Sequence, residues 1–417
     1  MFNFEQETNL VVTKEDKQHL WEQVCELIEM YIDTNIMMMK SPYFHDDINN
    51  FIMNEMRNMY ENIYDDIFEE ELYVILQKGN RFYFSKEIPR RSYQISFAKP
   101  RVNIPKLSSI IKQLRDTPQH EQRTAGWFND RWNMISASSA WKALSSESYK
   151  NSLIYEKCVP IDAKKFGSVN INSPLHWGQK YEPLSIQIYE QKYNTSVEDF
   201  GCIPHPKYSN IGASPDGINT DKKSTRYGRM VEVKNRFSES VPITGNPKEE
   251  YWIQMQMQMN VCNLNECDFL ETRFKEYSCA TEFYNDGASF TETEDGKKKG
   301  IYLCFEKDGF PHYEFPELNL SFDEFDKWEQ EKISQLTQKN YQWVSYIYWY
   351  LDKMSCVLVF RNKKWFEKAS QELNALWNVI LKERVSGYQH RAPNKRERKP
   401  KDVGSSCLID ISSLKIS

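Results

Sequence analysis

Apolar residues recur at three- and four-residue intervals between Lys17 and Met37 and again between Asn50 and Ile63, which predicts amphipathic helices early in the chain. The run Asp65-Asp66-Ile67-Phe68-Glu69-Glu70-Glu71 reads as a solvated helix face. Further on the pattern changes. Arg229-Met230-Val231-Glu232-Val233-Lys234 predicts a strand, with a shorter one at Ile211-Gly212-Ala213. Glu266 to Phe274 and Ser355 to Phe360 predict two more. A helical stretch runs through Ile186, Ile188 and Tyr189, and a long helix from Asn362 to Glu383 carries Trp365, Phe366, Leu373, Leu376, Trp377 and Ile380. Tyr251 to Met259 is ambiguous. Its Gln and Met residues alternate as in a strand, yet both types favour helices and no β-branched residue interrupts them.

These elements divide the 417 residues into parts. Residues 1–118 form a helical N-terminal accessory region. Residues 119–386 form a core of α/β (α+β) class, a mixed central sheet flanked by helices. An insertion at about 280–340 is punctuated by Gly287, Gly296, Gly300 and Gly309, with Lys297-Lys298-Lys299 expected at a loop tip. Residues 387–417 are a basic tail. Between His390 and Lys401 it holds Arg391, Lys395, Arg396, Arg398, Lys399 and Lys401 against the single acid Glu397. Pro393 and Pro400 keep it from forming a regular helix. An arm on DNA phosphates, a nuclear-import signal and a plain solvated terminus all fit it.

Formal net charge is −5, so no global basic field draws the chain to nucleic acid. That disfavours a passive DNA coat and leaves an enzyme with a local basic lining open. The nine cysteines are odd in number and follow a polar, acidic N-terminus, and no run approaches a membrane span. Reduced thiols in a cytoplasmic or nuclear compartment are expected, with no secretion and no membrane association. Seven scattered histidines show no ligand spacing.

The candidate chemistry lies in two short pieces. On a strand, Glu232 and Lys234 project to the same face, and Asp216 in Ser214-Pro215-Asp216-Gly217 ends a shorter run that a hairpin would bring alongside. Two carboxylates converging with an ammonium suit a hard divalent cation and a water beside it, for metal-assisted hydrolysis of a phosphodiester. Taken alone, an E-x-K strand is also an ordinary ion-paired face and S-P-D-G an ordinary turn.

The neighbourhood adds to those two pieces. Gln122-Arg123-Thr124-Ala125-Gly126-Trp127, Arg131 and Ile135-Ser136-Ala137-Ser138 come first, then Trp177-Gly178-Gln179-Lys180-Tyr181-Glu182-Pro183. The Asp216 and Glu232 pieces follow, and then Tyr251 to Met259. In this order and spacing, over about a third of the chain, the set resembles the lambda-type exonuclease family. That family includes the YqaJ-like viral recombinases and the alkaline exonucleases of large DNA viruses, on the restriction-endonuclease-like PD-(D/E)xK fold. The resemblance implies a helix at Tyr251–Met259 and metal ligation by Asp216, Glu232, the Val233 carbonyl and Glu182. It implies Lys234 as the lysine that orients the attacking water or stabilises the transition state. It places Arg131, Ser138, Ser214 and Gln254 in a pocket for the 5′-phosphate, although Ser138 by itself also reads as a helix cap.

The function so implied is a magnesium-dependent 5′–3′ deoxyribonuclease acting on linear duplex DNA in viral recombination, repair or replication, with manganese as an alternative metal. Partners implied are duplex DNA with a 5′-phosphate and a single-strand-binding or annealing protein; a homo-oligomer and a monomer both stay open. RNA is a further substrate left open. Some nucleases on this fold carry an iron–sulfur cluster. Cys262 and Cys267 lie near each other, but no C-x-x-C occurs, so no cluster is expected. A structure-specific endonuclease and a non-catalytic nucleic-acid scaffold are the competing readings.

Overall fold

The computed structural model describes residues 13–99, 102–122, 124–161, 171 and 173–393. The basic run from Lys395 to Lys401 lies outside the described residues.

Helix α1 (Lys14–Asn35) opens on a capping box between Thr13 and Asp16 and buries Leu20, Val24, Ile28 and Ile32, a stripe of strict four-residue spacing. Helix α2 (Phe44–Met59) repeats the device with Phe44, Ile48, Ile52 and Met56. The acidic run then proves to be a helix start. Asp65 accepts from the Phe68 amide at 2.7 Å and caps α3 (Asp66–Lys86), whose first-turn acids favour the positive end of the helix dipole. Helix α4 (Ile104–Asp116) completes the N-terminal region.

That region is laced to the rest. Arg91 is buried, and its guanidinium donates to the carbonyls of Lys40 and Pro247 and to Asn246 Oδ1. One continuous hydrophobic cluster runs from Leu20 on α1 to Ile380 near the end of the chain.

Beyond it come α5 (Ala125–Trp132), β1 (Ile135–Ser136), α6 (Ala137–Ala143), α7 (Glu147–Cys158) and α8 (Pro174–Tyr193). The strands β2 (Val197–Glu198), β3 (Ile203–Pro204), β4 (Ile211–Ala213), β5 (Gly217–Asn219) and β6 (Met230–Asn235) follow. Then come α9 (Glu249–Val261), β7 (Glu266–Glu276), α10 (Ala280–Asn285), β8 (Lys299–Lys307), β9 (Phe310–Glu314), α11 (Phe322–Gln338), β10 (Gln342–Phe360) and α12 (Lys363–Ser386). A small sheet has the order β1-β4-β3, and the main sheet β2-β5-β6-β7-β10-β8-β9. Strands β6 and β7 are parallel and joined through α9, while the other pairs of the main sheet are antiparallel. The sheet is therefore mixed and flanked by helices, and the Gln/Met run is the crossover helix.

The stretch at 280–340 supplies α10, β8, β9 and α11, and β8 and β9 lengthen the main sheet. Strand β10 covers 19 residues, far more than the six expected from Ser355 to Phe360, and its first half pairs with β8. Lys297-Lys298-Lys299 is not a loop tip. Lys299 is 3% exposed and its ammonium donates to the carbonyls of Phe283 and Asp286, while Lys297 pairs with Asp295. The charge run misled because backbone carbonyls, invisible in a sequence, satisfy the buried ammonium.

Two histidines make the fold acid-sensitive. The His45 ring accepts from the Arg91 amide, and the His205 ring from the amides of Lys207 and Tyr208. Burial, with Arg90 and Arg91 near His45 and with Arg361 and Lys207 near His205, pushes each down to about 4. Neutral rings are favoured in the fold, so their contribution is full above the ordinary pKa of 6.5 and is lost as pH falls toward 4. Denaturant titrations from pH 7 to 4 should lose on the order of 2 kcal/mol from this pair, and His45→Gln should flatten part of the fall.

Candidate active site

Strand β6 lies between β5 and β7, and this places its alternate side chains in the interior. Glu232 is wholly buried there, and Lys234 on the same face pairs with its Oε1. Asp216 arrives by a change of sheet. The chain leaves β4 in the small sheet, turns through Ser214-Pro215-Asp216 and enters β5 in the main one. Pairing of Gly217 with Val231 sets Asp216 beside Glu232. The Val233 amide donates to Asp216 Oδ2 at 2.8 Å, so the aspartate is fixed to the same strand. Gly217 has a steric role as well, since a Cβ there would run into Val197 on β2.

Glu182 comes from α8. The helix is capped by Ser173, and Pro183 inside it has no amide to offer the turn before. Asn235 at the end of β6 locks helix to strand, donating to the Gly178 carbonyl at 2.7 Å and accepting from Ser185 Oγ at 2.7 Å. Glu182, Asp216, Val233, Lys234 and Tyr251 then line one cleft of about 540 Å³.

The electrostatics are those of a site with surplus negative charge. Enclosure by protein, then the Glu232 and Glu182 carboxylates, hold the Asp216 carboxyl well above its usual range. Burial pulls the Lys234 ammonium down, but Glu232 and Asp216 outweigh it and keep the lysine charged far into the alkaline range. Three carboxylates against one ammonium, all offering hard oxygen donors, are the chemistry that a divalent cation answers. The donor set fits such an ion, although among the described residues no three of His, Cys, Asp and Glu stand close enough to form a finished cage.

A second group surrounds Arg131. Its Nη2 donates to Ser138 Oγ at 2.7 Å, and its guanidinium lies over the Trp127 ring at 4.4 Å. The Trp127 indole donates to Ser214 Oγ at 3.1 Å, which ties this group to the turn that carries Asp216. Arg131 opens on a separate cavity of about 560 Å³, lined also by Trp132, Tyr155 and Lys157. Burial pushes the Lys157 ammonium, which donates to the Arg131 carbonyl, down to about 8. Ser138 is not the helix cap. That position belongs to Ser136, which leaves the Ser138 hydroxyl to Arg131. Gln254 is half-buried on α9, with no described hydrogen bond to Arg131, Ser138 or Ser214.

The neighbouring glutamine was missed. Gln258, one turn beyond Gln254, donates to Glu232 Oε2 at 2.7 Å, whereas Gln256 turns away to the Phe360 carbonyl. Helical period put Gln254 and Gln258 on one face, but only the three-dimensional position of Glu232 says which of them touches it. Tyr251 and Arg236, both in the cleft lining, were missed as well.

Residues 126–265 match the model of the YqaJ-like viral recombinase domain. The uncharacterized protein R354 of Acanthamoeba polyphaga mimivirus is 26% identical over 339 residues, covering 72% of this chain and 57% of its own length. The chain thus matches a little over half the length of that relative. An alkaline exonuclease from Laribacter hongkongensis is 18% identical over 64% of this chain and 97% of its own, with a TM-score of 0.38. A phage-related exonuclease from Haemophilus somnus 129PT is 13% identical over 59% of this chain and 93% of its own, with a TM-score of 0.33.

Proposed function

We propose that the chain is a divalent-metal-dependent deoxyribonuclease that hydrolyses linear duplex DNA from a 5′ end. The observation that supports this best is the convergence of Glu182, Asp216 and Lys234 at one cleft, with the buried Glu232 paired to Lys234, within the stretch that matches the YqaJ-like domain. Magnesium, or manganese, held by Asp216, Glu232, the Val233 carbonyl and Glu182 would polarise the scissile phosphate and acidify a water.

The remaining work falls to side chains. Gln258 and Lys234 hold Glu232 from either oxygen and fix its orientation. Lys234 supplies a permanent positive charge where the phosphoryl oxygens gain negative charge. Arg131, with Ser138 and Ser214, would take the terminal phosphate, because a guanidinium donates two parallel bonds to it. Gln254 would reach that phosphate from α9. A gripped terminus aligns the first scissile bond, and that orientation accelerates cleavage. Resection would leave a 3′ single strand for an annealing partner, in viral DNA recombination, repair or replication in the host cytoplasm or nucleus. The described residues include no helix long and apolar enough to cross a membrane.

The test uses three substrates in magnesium: a linear duplex with a 5′-phosphate, the same duplex with a 5′-hydroxyl, and a covalently closed circle. The phosphorylated end should be digested at least about tenfold faster than the hydroxyl end, and the circle left intact. Arg131→Ala should remove that preference. Cutting of the circle would establish an endonuclease instead, and binding without cleavage a scaffold.

A further inference from the structure

Arg236 comes directly after β6, two residues beyond Lys234, and its side chain lines the same cleft. The Tyr251 ring neighbours both cations. Lys234 lies 5.1 Å from its centroid and Arg236 5.2 Å. Arg236 is anchored from behind by Glu271 on β7, which is 2% exposed.

The manner of anchoring matters. An arginine whose task is to neutralise a buried carboxylate pairs with both oxygens, fork to fork. Here Nε and Nη2 both donate to Glu271 Oε1, and Glu271 Oε2 stays buried without a partner. The guanidinium is turned so that Nη1 goes to the Tyr251 hydroxyl, at a long 3.4 Å, on the side of the cleft. Two of the five N–H donors are spent on one carboxylate oxygen and one on a weak bond to tyrosine. The others have no partner among the described residues and remain for a ligand.

A DNA strand entering this cleft passes the Glu182 and Asp216 carboxylates, which line it beside Lys234. A further cation along that path favours a polyanion, and the planar fork of arginine matches a phosphodiester. We infer that Arg236 contacts the DNA backbone, taking the phosphate next to the scissile one, with Glu271 and Tyr251 bracing it. This inference rests on the nuclease reading and adds a substrate-binding residue to it.

The test separates a substrate contact from a neutralising partner. The full chain is compared with Arg236→Met, Arg236→Lys, Glu271→Gln and the double variant Arg236→Met/Glu271→Gln. Equilibrium binding of a 5′-phosphorylated duplex is measured in chelator over a salt series, and KM and kcat in magnesium. Arg236→Met should weaken binding and raise KM about five- to tenfold, with kcat changing less. The slope of log affinity against log salt should shrink by about 0.9, the value for one lost phosphate contact. The double variant removes both charges at once, so it should fold and stay as weak as Arg236→Met. Arg236→Lys should keep the slope. Recovery of wild-type affinity and slope in the double variant would overturn the inference and leave Arg236 as the partner of Glu271. Should the wild type cleave nothing, the nuclease reading falls, while the salt slopes still decide whether Arg236 meets DNA.

Discussion

Glu232→Gln is expected to leave a folded protein that degrades DNA at least about a thousandfold more slowly than the wild type. The substitution keeps the shape of a side chain with no exposure to solvent and removes only its charge. One amide oxygen can still accept from Gln258, so α9 keeps its link to β6. What is lost is the anion that pairs with Lys234 and helps keep that ammonium charged. A hard oxygen ligand is lost with it, since a neutral amide is a weaker partner for a divalent ion. Rates at saturating duplex, set beside circular dichroism melts, check the prediction. Activity within tenfold of wild type would take Glu232 out of the chemistry.

Asp268→Ala should have the largest effect on stability, a loss of about 3–5 kcal/mol, because it strips a buried ion network of its centre. Asp268 on β7 is wholly buried and pairs with Arg226 and Arg229, which are 5% and 1% exposed. The Tyr189 hydroxyl donates to it at 2.7 Å, and Ser96 reaches it from the N-terminal segment. Without the carboxylate, Glu266 is left facing Arg229, and Arg226 loses its anion. The network also fastens the N-terminal region to the sheet, since Arg229 donates to the Phe97 carbonyl at 2.9 Å. Denaturant midpoints should fall accordingly. A change below about 1 kcal/mol would mean that the pairs are replaceable by water and packing.

The legible parts of this chain were those whose signal is local. Leu20, Val24, Ile28 and Ile32 announce α1 by spacing alone, and the alternation across Glu232 and Lys234 announces a strand face. Asp216 was legible as a candidate but not as a neighbour, because its position depends on a switch between sheets and on the Gly217–Val231 register. The Gln/Met run defeated periodicity. A buried crossover helix is apolar or amide-rich all round, so strand and helix periods look alike along it. The first half of β10 was hidden by exposure. Trp343 to Ser345 mix exposed and half-buried residues, which reads as loop until β8 is seen to pair with them. Gln258 and Arg236 were missed for one reason: each is placed by a partner, Glu232 or Glu271, that lies far off in sequence.

The most direct test of the central claim is release of acid-soluble nucleotide from a uniformly labelled linear duplex. It is run in magnesium and in chelator, with the wild-type chain and with Glu232→Gln. Release that needs the metal and is lost in the variant, while both proteins melt alike, is the predicted result. Release that persists in chelator, or at an unchanged rate in Glu232→Gln, would contradict hydrolysis by the Asp216, Glu232 and Lys234 cleft.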